Sequence, residues 1–172
     1  MKYLQINLII VLLIFCVISC DRQKNNKQLV INIDAILQQT DSINVYYTKA
    51  QNIDFNDKQS FWIKVQGSKK NQKVRIVFPK MLLPKQIRID FGRNRLQPEI
   101  VLNKIEISYK QNKAIFKGKE VFNIFRIDEN NTTLDKLNGS INRKVHNQVN
   151  GPSLYPKKDK LYKVLNQLYI EE

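Results

Sequence analysis

From Leu29 onward, apolar and polar residues alternate mostly with a period of two, the spacing of strands that turn one face to a core and the other to water. Leu29-Val30-Ile31-Asn32-Ile33 and Ile43-Asn44-Val45-Tyr46-Tyr47 are rich in β-branched and aromatic side chains, and Thr40-Asp41-Ser42 supplies a turn before the second run. Next, Phe61, Ile63 and Val65 fall on one face and Trp62 and Lys64 on the other. Gly67-Ser68 and the polar stretch Lys69 to Asn71 turn the chain into Val74, Ile76 and Phe78, which Pro79 ends. After a loop from Met81 to Pro84, Ile87, Ile89 and Phe91 point inward and Arg88 and Asp90 outward, with Gly92 closing the strand. Ile100 to Tyr109 repeats the scheme, with Ile105, Ile107 and Tyr109 set against Lys104, Glu106 and Ser108. Gln111-Asn112-Lys113 reads as a hairpin turn, Ala114 to Phe116 and Val121 to Ile127 as further strands, and Thr132 to Val149 as one or two edge strands.

The period changes at the end. Leu161, Val164, Leu165 and Leu168 recur at intervals of three and four, after Pro156 and with Asp159 near the start, which predicts a helix over 158–169. So short a helix draws its stability from laying its leucine stripe on the sheets. Many short strands separated by Gly, Pro and Asn turns, with one terminal helix, predict an all-β fold: an antiparallel β-sandwich of seven to nine strands in one domain over 29–172.

The first residues follow a different logic. Lys2 gives a positive start, Leu8 to Ile18 is apolar and uncharged, and small Ser19 precedes Cys20, which is the order of a signal peptide over 1–19. The run meets Asp21, Arg22 and Lys24 short of the roughly 20 apolar residues that span a bilayer. Val17-Ile18-Ser19-Cys20 resembles the lipobox of bacterial lipoproteins, with Ile18 standing where that pattern prefers Ala or Ser. The resemblance implies cleavage before Cys20, a diacylglycerol group on its thiol, a tether over 20–28 and a lipid-anchored place in the bacterial cell envelope. Each buried acyl methylene contributes about 0.8 kcal/mol, so two or three chains hold a protein on a membrane without another anchor. The competing reading is an ordinary secretory signal that leaves a free cysteine. Basic residues follow Asp21, unlike the acid-rich start that resembles surface-export signals of Bacteroidota lipoproteins, so the expected address faces the periplasm. With Cys16 in the leader and Cys20 acylated, the domain has no internal disulfide and depends on packing.

Charge narrows the partners. Lys and Arg total 29 against 15 Asp and Glu, a net charge of +14, of which the leader carries only Lys2. Such a balance in the cytosol would suggest nucleic acid, but export removes that partner and leaves lipid headgroups, lipopolysaccharide, acidic polysaccharides or an envelope protein. The plainer alternative is that the charge serves solubility.

A second resemblance covers Ile43 to Tyr109. Val45-Tyr46-Tyr47, Phe55, Phe61-Trp62-Ile63, Val74 to Pro79, Ile87-Arg88-Ile89-Asp90-Phe91-Gly92 and Ile105-Glu106-Ile107 resemble the strands of a jelly-roll-like domain of Bacteroidota lipoproteins and of some envelope polysaccharide membrane proteins. Arg88-Ile89-Asp90 is similar to the centre of that family's best-marked motif, where Phe91 stands in place of a frequent Pro. The resemblance implies a jelly-roll-like sandwich similar to carbohydrate-binding modules, and it implies location more than function.

Candidate chemistry is sparse. His146 is the only histidine and has no cysteine to join it, so a zinc site is not expected, and Ser140, His146 and Asp135 make a triad only on paper. Asp34, Asp54, Asp90 and Glu106 could supply paired carboxylates for glycoside hydrolysis, but Asp90 and Glu106 lie beside Arg88 and Lys104, the pattern of structural charge pairs. Asp54, Asn56 and Asp57 form a weak calcium candidate that a turn explains equally well. No cofactor is expected.

Outward parity makes Trp62 the leading ligand-binding candidate, with Tyr46 second, because an exposed aromatic ring is a platform for a sugar; the competing and favoured expectation is that the terminal helix or the segment after Val121 covers Trp62. If Lys64, Lys73, Arg75, Arg88 and Lys104 share neighbouring outward faces, they form a basic surface around it. The expected function is that of a non-enzymatic envelope lipoprotein binding a glycan or another anionic ligand. The rival is a scaffold or assembly subunit of a polysaccharide or transport complex that binds protein, aided by the Leu161 to Leu168 stripe. The chain purified from membranes is expected to begin at acylated Cys20, and Cys20→Ala to remain unprocessed; mass spectrometry of the two N-termini checks this.

Overall fold

A computed structural model describes residues 27–170. The leader, Cys20 with its proposed lipid and most of the tether therefore lie outside the described residues. Two antiparallel sheets pack face to face. The first takes β1 (Leu29–Ile36), β4 (Gln72–Val77), β6 (Ile100–Tyr109), β7 (Asn112–Lys117), β9 (Thr132–Asp135) and β10 (Ser140–Arg143) in the order β4-β1-β6-β10-β9, with β7 also paired to β6. The second takes β2 (Asp41–Thr48), β3 (Ser60–Val65), β5 (Gln86–Phe91), β8 (Phe125–Ile127) and β11 (Ser153–Pro156) in the order β3-β2-β5-β11-β8. The eleven strands of the described residues exceed the expected seven to nine, and the fold is an antiparallel β-sandwich with a short C-terminal helix.

Alternation builds the core. Ile31, Ile33, Ile76, Ile105 and Ile107 from the first sheet meet Ile43, Val45, Ile87, Ile89 and Phe91 from the second, all buried. Phe78, at the end of β4, bridges the layers, with Phe61 edge-on at 5.3 Å and Tyr47 at 6.3 Å. In β6 the inward set changes parity from Ile100 and Leu102 to Ile105 and Ile107, because Asp34 pairs with Lys104 but Ala35 with Leu102. Asn103 is the extra residue of a β-bulge that restores the apolar face.

The helix α2 (Lys158–Tyr169) has the predicted bounds. Leu161, Leu165 and Leu168 are buried in the common core, so the stripe offered to a partner protein is spent within the fold. No helix of the described residues is long and apolar enough to cross a membrane.

Three local expectations are corrected. The β6–β7 hairpin turns at Lys110-Gln111, one or two residues earlier than expected, because Tyr109 pairs with Asn112 and Lys110 takes φ 53°. Val121 to Ile127 splits into a helical turn, α1 (Val121–Ile124), and the short β8, since Val121 and Ile124 bury together at a spacing of three. The strand β11 was not expected: Pro152 and Pro156 flank its centre, yet Leu154 is buried and pairs with Ile89 and Ile127.

Tyr169 locks the helix end, donating its hydroxyl to the carbonyl of Pro84 at 2.9 Å and lying edge-on to Tyr109 at 5.4 Å. Burial raises its pKa above the ordinary value of 10.0. A phenol harder to ionise folded than unfolded contributes stability that is complete below pH 10 and is lost as the pH rises beyond it. Tyr169→Phe is therefore expected to flatten the alkaline fall in stability above about pH 10, read from urea unfolding midpoints across pH.

Candidate functional site

The site lies on the outer face of the five-stranded sheet, where residues paired across strands form two rows. One row runs Trp62, Asn44, Asp90 and Ser153 across β3, β2, β5 and β11. The next begins with Ser60, Tyr46 and Arg88 and continues through Tyr155 and Arg126. In that second row rings and guanidinium groups alternate: Arg88 Cζ lies 4.9 Å from the Tyr46 ring centre and 4.3 Å from that of Tyr155, and Arg126 Cζ lies 4.9 Å from Tyr155 on the other side. Phe55, from the β2–β3 loop, meets Tyr46 at 6.4 Å and Tyr155 at 6.1 Å, both edge-on.

Arg88 also forks onto Asp90, donating from Nε to Oδ1 at 2.8 Å and from Nη2 to Oδ2 at 2.7 Å. Burial alone would lower its pKa, but the hydrogen bonds and charge of Asp90 outweigh that, and the net direction is upward. Burial raises the pKa of both flanking tyrosines, and Tyr46 is raised further by donating its hydroxyl to Asp57 Oδ1 at 3.0 Å. The stack is thus a fixed cation between two neutral phenols.

Beside it opens a cavity of about 160 Å³, lined by Asn44, Tyr46, Trp62, Arg88, Asp90, Gly92, Arg93, Asn131, Asn150 and Gly151. Asn44 is only 2% exposed, and its carbonyl oxygen Oδ1 has no hydrogen-bond partner. A buried acceptor left unpaired costs about 1–3 kcal/mol, a cost that Asn44 carries in the wall of this cavity.

The rim is set by backbone constraints. Gly92 takes φ 67°, and a Cβ there would meet the Asp41 carboxylate; one at Gly151 would fall 1.7 Å from the carbonyl oxygen of Phe91. Asp41 accepts from the backbone N–H of Ser42 (2.8 Å), Arg93 (3.0 Å) and Asn94 (2.9 Å), which fixes the turn after β5 that carries Arg93. The guanidinium of Arg93 then lies 5.2 Å from the Trp62 ring centre.

The structure separates the sequence candidates. Trp62, Tyr46 and Arg88 share this face; Trp62 is 48% exposed and met by Arg93, and Asn131, Asn150 and Gly151 of the segment after Val121 line the same cavity. Lys73 and Arg75 on β4 and Lys104 on β6 belong to the other sheet, so the single basic surface around Trp62 does not form. Lys64, Lys73 and Arg75 instead line a shallow groove between the edge strands β3 and β4. Lys104 bonds Asp34 across strands at 2.9 Å and approaches Glu106 at 3.9 Å. Asp54 accepts from Asn52 at 2.9 Å and Asp57 from Tyr46, and the described residues hold no cluster of three His, Cys, Asp or Glu suited to a metal.

Sequence reasoning missed Asn44, Arg93, Asn131, Asn150 and Tyr155. Asn44 shares its outward parity with Tyr46, but its position opposite Trp62 depends on a register that the long β2–β3 loop conceals. Compared with known proteins, the chain matches no family model, no curated protein and no solved structure.

Arg88→Ala is expected to destabilise the fold by about 2–3 kcal/mol, because Asp90 loses a forked charged partner and two rings lose their cation. Exposed Lys64→Ala should shift stability by less than about 0.5 kcal/mol. Urea unfolding of the two variants compares them directly.

Proposed function

We propose that this chain is a non-enzymatic lipoprotein of the bacterial envelope, anchored by lipid on Cys20 and facing the periplasm, whose sandwich binds a sugar unit of a glycan beside Trp62. The observation that carries the reading is the half-exposed ring of Trp62 in the wall of a cavity that Asn44, Asp90 and Arg93 also line. Around it stand the groups with which proteins hold sugars: a half-exposed indole for a ring face, and a carboxylate, guanidinium groups and amides for hydroxyls. A volume of about 160 Å³ holds roughly five water molecules at ~30 Å³ each, the scale of one sugar ring.

A binding role also fits the carboxyl chemistry. Glycoside hydrolysis uses two carboxyl groups about 5–9.5 Å apart across the bond. Asp90 is the one carboxylate among the cavity-lining residues, and both of its oxygens accept from Arg88. It is an acceptor held in place by that fork.

Asn44→Leu separates function from folding. Replacing the unpaired amide with an apolar group of similar size is expected to leave stability unchanged or raise it by about 1 kcal/mol, while glycan binding is lost. A glycan array probed with full-length protein and the variant, together with their unfolding midpoints, reads both effects. Equal array signals from the two would remove Asn44, and with it the proposed site.

A further inference from the structure

Resting on that reading of the cavity, we infer that its preferred ligand is a sugar acid: a hydroxylated ring carrying one carboxylate, as in a uronate unit. Two observations set this apart from sugar binding in general. The first is the charge left over within the cavity. Arg88 and Asp90 cancel one another through their two hydrogen bonds, whereas Arg93 forms no ion pair among the described residues. The net charge facing a ligand is therefore that of one guanidinium, which a single anionic group satisfies.

The second is how Arg93 is held. Its backbone N–H is fixed by Asp41, and its charge lies against the Trp62 ring, while the guanidinium N–H donors make no hydrogen bond within the described residues. Contact with a ring engages the cation but leaves the planar fork free for two parallel bonds to a carboxylate. Trp62 in this arrangement positions Arg93 and offers its remaining surface to the sugar ring.

Trp62 supplies the complementary requirement. Its half-exposed ring offers apolar area that the face of a sugar ring covers and that acetate or inorganic phosphate does not. A ligand with a hydroxylated ring at one end and an anionic group at the other engages both the indole and Arg93. A neutral sugar leaves Arg93 unpaired, and a simple anion leaves the indole uncovered.

Trp62 is the only tryptophan of the chain, so its fluorescence reports this cavity alone. Full-length protein in detergent is titrated with methyl glucuronide, methyl galacturonide, the matching neutral methyl glycosides, acetate and inorganic phosphate. The expected result is saturable binding of a uronide about tenfold or more tighter than its neutral counterpart, and Arg93→Gln removing that preference for the uronide. Acidic polysaccharide and the sugar core of lipopolysaccharide both carry such units. Polygalacturonate and lipopolysaccharide run as competitors distinguish the two sources, and competition by either supports the inference.

Equal binding of acid and neutral sugar, unaffected by Arg93→Gln, overturns the sugar-acid preference while the glycan site stands. Acetate or phosphate binding as tightly as a uronide overturns it in favour of a plain anion site. No response to any sugar, together with no glycan-array signal, overturns the proposed function itself.

Discussion

A guanidinium that is four-fifths buried on the face of a sheet has to meet its opposite charge close at hand, and Arg88 meets it two residues along its own strand. The fork to Asp90 fixes the planar group, and the plane fixed in this way sits between Tyr46 of β2 and Tyr155 of β11. One side chain thus ties three neighbouring strands on their outer surface while Ile87 and Ile89 tie β5 to the core beneath. The same bond fixes the Asp90 carboxylate, whose residue shares a row with Asn44 and Trp62. Stability and the wall of the cavity therefore share one ion pair, and the site sits on rigid strands, with only its rim supplied by loops.

Much of the fold was legible because burial on one face of a strand imposes a period of two. The bounds of β5, β6 and α2 follow directly from that period or from the helical one that replaces it. Parity tells inward from outward but not one sheet from the other. Lys64 and Arg88 are outward on one sheet and Arg75 and Lys104 on the other, and nothing in their spacing separates them. Strand β11 escaped because Pro152 and Pro156 read as turn residues, although Ser153 and Leu154 still pair with β5. With β11 unseen, Tyr155 and the loop residues Asn150 and Gly151 had no place beside Arg88.

The site was half legible for the same reason. Trp62, Tyr46 and Arg88 could be placed by parity on a single face. Asn44, which lines the cavity, has no composition signal of its own, since an Asn in a strand is commonplace until its neighbours are known. Arg93 required the three-dimensional turn at Gly92, where Asp41 gathers three backbone N–H groups. Charge reads differently in the fold as well. The large positive balance is spread over both outer faces and the edges, and its local expression at the cavity is the single unpaired guanidinium of Arg93.

Ligands are proposed to meet this protein on the outer face of the five-stranded sheet, at the cavity lined by Asn44, Trp62 and Arg93. The most direct measurement is a two-dimensional amide NMR titration of isotope-labelled full-length protein with an acidic oligosaccharide. The largest shifts are expected on the Asn44 side-chain amide, the Trp62 indole N–H and the backbone of Arg93, with Lys73, Arg75 and Lys104 unmoved. Shifts concentrated on those three residues of the opposite sheet, with Asn44 unchanged, would contradict this placement.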